Sequence, residues 1–125
     1  ATLAHQYERL QQYDEALKYY KIALKLKDLP IEDDLFNIAM VYRFQENWEQ
    51  AIKYMKQSIK ENPNKSRAQY QLAMLADNYY KDPNIKLKYY HTYLKKYESD
   101  QKLAFFTSKI KKRVAQLEQE IDKNN

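Results

Sequence analysis

Two histidines are the residues of this chain best suited to metal binding or acid–base chemistry, and neither has the neighbours that such chemistry needs. His5 and His91 lie far apart in sequence, and no third ligand stands at metal-binding spacing from either. The chain has no cysteine and no glycine, which excludes disulfides, cysteine nucleophiles and glycine-rich phosphate loops. No pair of carboxylates is fixed across a predicted cleft. We therefore expect no catalytic site, no metal and no cofactor, and we do not expect an enzyme.

The second candidate for chemistry is a basic cluster near the C-terminus, formed by Lys109, Lys111, Lys112 and Arg113. The 125-residue chain has a net charge of +5, and residues 63–125 carry thirteen Lys/Arg against seven Asp/Glu. Such a surface suits phosphate groups or an acidic polymer. However, the cluster lacks the interleaved aromatic residues of a single-strand-binding platform, and a solvated lysine-rich face has the same composition. A basic-surface binder of nucleic acid or acidic polymer is therefore the alternative, and we do not expect nucleic acid as the main partner.

A helical hairpin over residues 35–63 is the element around which the chain is organised. Its first half places apolar residues at helical spacing, namely Leu35, Ile38, Ala39 and Tyr42, and its second half repeats that spacing with Trp48, Ala51, Ile52, Met55 and Ile59. Asn47 is a suitable N-cap between the halves, and Pro63 ends the second helix. Ala39 and Ala51 are small enough to mark the closest approach of the two helices.

The same pattern recurs on both sides of the hairpin at a period near 34 residues. Ala39 corresponds to Ala4 and Ala73, and Ala51 corresponds to Ala16. A fixed period with two helices in each unit indicates a helical repeat array. We predict helices over residues 1–11 and 14–27 in the first repeat. In the third repeat we predict helices over about 64–80 and 83–97, because Asp82 and Pro83 form a helix start.

A last helix is predicted over about 100–122. Its apolar residues recur every three or four positions, at Leu103, Phe106, Ile110, Val114, Leu117 and Ile121. Repeat arrays need a terminal helix that covers the apolar face of the last unit, so we expect a capping helix. The stripe is longer than one repeat helix can cover, and Leu117 and Ile121 are therefore candidates for self-association.

With these residues the chain resembles the tetratricopeptide repeat (TPR) family over about residues 1–98. The third repeat is degenerate, since Ala76 replaces a tyrosine, Ile85 an alanine and Tyr97 the closing proline. The resemblance implies an all-α fold, a right-handed α-solenoid of three helix–turn–helix repeats over about 1–30, 31–64 and 65–98 plus the capping helix. It also implies a protein–protein interaction module that acts as a scaffold.

In this family the first helix of each repeat lines a concave groove. The residues on that face are His5, Arg9, Phe36, Asn37, Met40, Arg43, Phe44, Arg67, Tyr70, Gln71, Met74 and Asn78. They combine adaptable apolar side chains with amide and guanidinium groups, a mixture that suits a peptide or helix of a partner protein. The sequence does not identify that partner. A structural segment whose groove is covered by neighbouring repeats is a further alternative.

Some members of the family hold the C-terminal carboxylate of a peptide in a clamp of basic and amide residues. Asn37 and Arg67 fall on matching positions of this clamp. His5 stands where an asparagine is expected, Gln71 where a second basic residue is expected, and Ala1 where the first lysine would be. The missing charged hydrogen bonds would remove most of the strength of the clamp, so we do not expect one.

The length of the chain suits a single domain over residues 1–125. No apolar run approaches the 18 or so residues of a membrane span. The sequence begins at Ala1, inside the pattern of the first predicted helix, and so we expect a fragment of a longer chain. Neither the compartment nor the number of repeats in that longer chain follows from these residues.

Overall fold

The structure is a computed structural model that describes the backbone of residues 3–26 and 32–124 and the side chains of residues 9–25 and 32–124. It contains six α-helices and no strand in the described ranges, which confirms the all-α prediction. The chain divides into two compact units, residues 1–65 and residues 66–125. The single domain and the right-handed solenoid stay predictions.

The first unit contains the predicted hairpin, built from α2 (Glu32–Phe44) and α3 (Trp48–Glu61). Ala39 and Ala51 are both 0% exposed, as expected for small residues at a close helix–helix contact. In the turn, Glu46 takes a φ of 59°, and the Asn47 amide donates to the Tyr42 carbonyl over 2.9 Å. The Asn47 side chain accepts from the Gln50 amide over 3.4 Å and caps α3 as predicted.

The first unit begins with one long helix, α1 (Leu3–Leu26), so the prediction of two helices over 1–11 and 14–27 is wrong. The reason is local. The predicted junction, Tyr13 to Glu15, contains no proline or glycine, and nothing there stops the helix from continuing. The turn between α2 and α3 differs, since there a residue adopts the left-handed conformation and an asparagine caps the next helix.

The long helix α1 is held against the hairpin by apolar and polar contacts together. Leu17 is buried against Ile38 and Val41. The Lys21 ammonium donates to the Tyr42 hydroxyl over 3.0 Å and lies 5.5 Å from the centre of its ring, a cation–π contact. The hydrogen bond and the nearby hydroxyl raise the pKa of Lys21, although its partial burial opposes this. Lys21 therefore ties the middle of α1 to α2.

The second unit packs α4 (Ser66–Tyr79), α5 (Pro83–Tyr97) and α6 (Ala104–Lys123) around one core. The start of α5 is as predicted, with Pro83 in its first turn and the Asp82 carboxylate accepting from the Asn84 amide over 2.9 Å. A short 3₁₀ turn, Gln101–Leu103, precedes α6. The core residues, which come from all three helices, are Ala73, Tyr90, Tyr93, Leu94, Tyr97, Ile110, Val114 and Leu117.

The predicted apolar stripe of α6 is buried at Ile110, Val114 and Leu117 but not at Phe106, which is 38% exposed. Thr107, the next residue, is buried instead. Both Phe106 and Thr107 lie about one turn before Ile110, so helical spacing alone does not decide which of them is covered. Leu117 is 0% exposed within the core of the second unit and is not available for self-association, which stays a prediction for the rest of the helix.

One carboxylate, that of Asp77 in α4, joins all three helices of the second unit. Arg113 of α6 donates to it through Nε over 2.7 Å and through Nη2 over 3.0 Å. The Tyr90 hydroxyl of α5 donates to the same carboxylate, and the Lys86 ammonium lies 3.3 Å from it. Burial acts to raise the pKa of Asp77, but the hydrogen bonds from Arg113 and Tyr90 outweigh burial and hold the pKa below its usual value.

The close contact in the hairpin leads to a first prediction. Ala39→Leu or Ala51→Leu should lower the free energy of unfolding by about 1–3 kcal/mol, because neither site has room for three extra carbon atoms. Thermal melting followed by circular dichroism measures the effect. Gln57→Leu is the matched control, since it adds leucine at an exposed position of α3. If either alanine variant melted at the same temperature as the control, the contact between α2 and α3 would not be tight.

The Asp77 network leads to a second prediction. Asp77→Asn should lower the free energy of unfolding at pH 7 by about 1.5–3 kcal/mol, the range for hydrogen bonds to a charged group. The pKa of Asp77 is lowered in the folded state. The stabilisation that its carboxylate gives is therefore complete above the ordinary pKa of about 4, and it is lost as the pH falls through the lower pKa of the folded state. In denaturant titrations at a series of pH values between 7 and 3, the free energies of unfolding of the wild type and the variant should therefore approach each other as the pH is lowered.

The control for this pH series is Asp122→Asn, at an exposed position near the end of α6. It should change stability little at any pH. If Asp77→Asn were as stable as Asp122→Asn at pH 7, the network would not stabilise the second unit.

Candidate functional site

Two cavities of the second unit lie along the line where α4 faces α6. The larger pocket has a volume of about 340 Å³ and is lined by Ser66, Arg67, Tyr70, Gln71, Tyr93, Leu103 and Phe106. The smaller pocket has a volume of about 180 Å³ and is lined by Tyr70, Met74, Asp77, Tyr90, Lys109, Ile110 and Arg113. Tyr70 lines both pockets, so we call their combined surface the α4–α6 groove.

The two helices that form this groove, α4 and α6, run parallel with a constant offset in sequence. The Tyr70 ring meets the Phe106 ring, and the Asp77 carboxylate meets the Arg113 guanidinium. Both pairs are separated by 36 positions in sequence, as two parallel helices with a constant offset require. Side chains therefore face each other in rows across the groove, and residues one turn apart on a helix occupy successive rows.

The larger pocket has mainly aromatic walls. The Tyr70 ring packs edge-to-face on Phe106, with 4.9 Å between ring centres, and on Tyr93, with 6.0 Å between centres. Tyr93 is buried and fixes this wall, whereas Phe106 is partly exposed and Leu103 half-buried. Apolar surface that is held open in this way can receive an apolar group without first rearranging.

Two polar side chains of α4 accompany the aromatic walls. The guanidinium-bearing Arg67 is exposed and lies one turn before Tyr70. The Oε1 atom of Gln71 is buried and accepts no hydrogen bond from the described residues. A buried acceptor without a donor is costly, and it would be satisfied by an N–H group that enters the pocket.

The smaller pocket is more polar, but its carboxylate is already engaged. Asp77 holds Arg113, Tyr90 and Lys86 as described above. The Tyr90 hydroxyl is buried beside this carboxylate, and burial followed by the hydrogen bond to Asp77 raises the pKa of Tyr90 well above its ordinary value. Tyr90 therefore stays protonated at neutral pH and acts as a hydrogen-bond donor within the network.

The structure brings together four of the residues that the sequence analysis assigned to a groove. Arg67, Tyr70 and Gln71 line the larger pocket, and Met74 lines the smaller one. Asn78 is exposed on the same helix, and its side-chain amide donates to the Met74 carbonyl over 2.9 Å. The sequence analysis missed Tyr93, Leu103 and Phe106 as pocket residues. Leu103 and Phe106 had been assigned to the apolar stripe of the last helix, and helical spacing alone does not show which members of a stripe border a cavity.

In the first unit, Phe36 does not lie on a free face, and that expectation is wrong. Its side chain is 2% exposed, and the Lys65 ammonium lies 5.4 Å from the centre of its ring. Lys65 also pairs with Asp33, which holds the lysine over the ring. A cation 29 positions away in the sequence therefore covers this aromatic residue.

The other groove candidates of the first unit remain accessible where the structure describes them. Asn37, Met40 and Arg43 are half-buried, and Arg9 is exposed. Phe44 is 55% exposed and stacks on Tyr13, with 6.1 Å between ring centres. The side chain of His5 lies outside the described residues. The role of these residues in partner binding stays a prediction.

The basic cluster of α6 is divided among different contacts. The Lys109 ammonium lies 4.7 Å from the centre of the Phe105 ring, Lys111 pairs with Glu98 over 2.7 Å, and Arg113 binds Asp77. Two of the four cations are thus opposed by carboxylates. The cluster does not present one continuous positive surface.

In the described part of the chain, no three histidine, aspartate or glutamate side chains come together as metal ligands would. None of the helices there combines the length and apolar character needed to cross a membrane. His91 is exposed on α5, away from both pockets.

A family model described as "Tetratricopeptide repeat" matches residues 1–60, which include the α2–α3 hairpin. No curated protein matches the chain. Repeats of this family generally mediate protein–protein interactions and are typically not enzymes. In its helical architecture and over residues 1–60, the chain is similar to the tetratricopeptide repeat family.

Proposed function

We propose that this protein is an interaction module that binds a segment of a partner protein in the α4–α6 groove. The observation that carries the proposal is the larger pocket, an apolar cavity of about 340 Å³ bounded by Tyr70, Tyr93 and Phe106. Polar side chains at one side of it, Arg67 and Gln71, can orient a ligand. A concave apolar pocket with a few polar groups is typical of a binding site.

The mechanism of binding in this proposal is passive. The walls of the pocket are fixed by the core of the second unit, and the Asp77–Arg113 contact holds α6 beside α4. A ligand therefore pays little for rearrangement of the site. Burial of one large apolar side chain supplies most of the binding free energy, while hydrogen bonds to the ligand backbone fix its position.

The proposal extends to the first unit as a second contact surface. Asn37, Met40, Arg43 and Phe44 on α2 offer the same combination of amide, thioether, guanidinium and aromatic groups. His5 and Arg9 of α1 belong to this predicted surface as well. Phe36 is excluded because it is buried.

The structure favours a protein segment over a polyanion as the partner. Nucleic-acid affinity depends on several cations that are free to contact phosphates. Here Lys111 and Arg113 are paired with carboxylates, and Lys109 lies against an aromatic ring. The apolar pocket, in contrast, has walls that suit a side chain of a protein.

The third prediction tests the groove directly. Peptides selected from a random display library by the immobilised 125-residue chain should bind the wild type and lose about tenfold or more in affinity on Tyr70→Ala or Phe106→Ala, because a few buried anchors usually dominate an interface. Calorimetric titration with the synthetic peptides gives the dissociation constants. Circular dichroism establishes that the variants are folded, and Phe106→Ala is the safer of the two because its side chain is partly exposed.

The matched control is Tyr79→Ala, which removes an exposed tyrosine of α4 that lies outside both pockets. It should leave peptide affinity unchanged. The charge variant Lys111→Glu/Lys112→Glu serves as a second comparison. If binding were lost in the lysine variant alone, with a steep dependence on salt, the partner would bind the basic face of α6 and the groove proposal would be wrong.

A further inference from the structure

The second half of α1, residues 14–26, corresponds to α3 at a shift of 35 positions in sequence. On one face the two helices are covered alike. Leu17 is 8% exposed and packs against Ile38 and Val41, and its counterpart Ile52 is 6% exposed. This half of α1 therefore packs as the second helix of a repeat does, although no turn precedes it.

A second face of the same segment lacks the cover that α3 has. In α3 this face is formed by three side chains at helical spacing, each 0% exposed in the α2–α3 hairpin, namely Ala51, Met55 and Ser58. Their counterparts in α1, all only half-buried, are Ala16, Tyr20 and Ala23. We call these three residues the open face of α1. Among the described residues, no helix covers the open face as α2 covers α3.

The segment whose pattern fits the open face lies in the same helix and cannot reach it. Ala39 and Ala51 mark the close contact of the hairpin, and their counterparts in the first repeat are Ala4 and Ala16. Along the continuous helix α1, positions 4 and 16 are about 18 Å apart, at a rise of about 1.5 Å per residue. A helix cannot fold back on itself without a turn, so residues 3–12 extend beyond the face that they fit.

The residues at the junction explain why α1 does not turn back. The turn of the hairpin consists of Gln45, Glu46 and Asn47, and the residues at the corresponding positions of α1 are Leu10, Gln11 and Gln12. In the hairpin, Glu46 adopts the left-handed conformation and Asn47 caps α3. Glutamine is not a preferred N-cap, and leucine and glutamine favour the interior of a helix. The junction of α1 thus lacks both features of the turn.

We propose that a second copy of this chain covers the open face of α1 through an exchange of residues 3–12 between the two copies. Residues 3–12 of each copy pack on residues 14–26 of the other, as α2 packs on α3. The two α1 helices then run antiparallel, and both copies gain the same contact, as two-fold symmetry requires. The occupant is this segment because its apolar pattern is that of α2, which covers the corresponding face of α3. The inference is independent of the α4–α6 groove.

The position of Leu10 supports the symmetric arrangement. If position 4 of one copy meets position 16 of the other, the two-fold axis passes near residue 10, midway between them. Leu10 of one copy then meets Leu10 of the second copy. This contact accounts for an apolar side chain that is 49% exposed in the single chain, at a place where the hairpin has the polar Gln45. Tyr19, which borders the open face, is 69% exposed and loses accessible surface in the same contact.

Disulfide cross-linking tests the exchange, because the chain has no cysteine of its own. Under mild oxidation, Ala4→Cys/Ala16→Cys should link two chains and give a dimer on a non-reducing gel, since a disulfide needs Cα atoms within about 7 Å. Ala4→Cys/Lys18→Cys is the matched control, because Lys18 is exposed on another side of α1, and it should give little dimer. A disulfide within one chain, or none in the first variant, would overturn the proposal.

The mass of the particle in solution gives a second test. Light scattering on the 125-residue chain, over a dilution series, should give twice the mass of one chain at the highest concentrations. Leu10→Gln/Gln11→Glu/Gln12→Asn supplies the residues of the hairpin turn, so the first repeat can close within one chain and the mass should fall to that of a monomer. Gln11→Ala/Gln12→Ala keeps helix-forming residues at the junction and should remain dimeric. A monomeric wild type would contradict the exchange.

Two further measurements separate this inference from the proposed function. Phe106→Ala, which alters the groove of the second unit, should leave the dimer intact. The turn variant, whose changes lie in α1, should become monomeric and still bind peptides in the α4–α6 groove. If Phe106→Ala dissociated the dimer and the turn variant did not, the contact between copies would lie at the groove and the exchange would be wrong. Loss of peptide binding with an intact dimer would affect the groove function alone.

Discussion

The bidentate contact between Asp77 and Arg113 is the interaction on which the second unit depends. Helix α6 packs mainly on α5, so its position beside α4 needs a direct connection. A planar guanidinium that meets a carboxylate through two hydrogen bonds fixes both distance and rotation, which an apolar contact alone does not. With α6 held in this orientation, Phe106 faces Tyr70 seven residues earlier along both helices, and the larger pocket exists because of that arrangement.

The first unit obtains its geometry by a different means. Its hairpin depends on Ala39 and Ala51, whose small size lets α2 and α3 approach closely. Its polar contacts join neighbouring helices, as when the buried Ser58 hydroxyl donates to the Glu32 carbonyl over 2.9 Å. The two units therefore share a helical pattern while relying on different interactions, the first on steric fit and the second on a partly buried ion pair.

Helices of repeats of this kind present side chains at the surface and do not present loops with reactive backbone groups. This explains why binding is the function to consider. The polar groups of the groove are amide, guanidinium, ammonium, phenol and hydroxyl groups and the engaged carboxylate of Asp77, and such groups recognise ligands by hydrogen bonds and charge. The perturbed titrating groups, Asp77 and Tyr90, are partners of each other within a structural network. Their shifted pKa values therefore reflect the packing of three helices and indicate no acid–base role.

The sequence by itself determined the helical class, the α2–α3 hairpin and the starts of α3 and α5, because apolar spacing, Asn47, Asp82 and Pro83 act locally. It also identified four groove residues on α4, since helical periodicity separates one face from another. Only the tertiary structure decided which of the apolar side chains on these faces are covered. Phe106 faces the pocket because Arg113 is held by Asp77, 36 residues away, and Phe36 is covered by Lys65. Such contacts join residues that are distant in sequence, and the local spacing of apolar residues does not predict them.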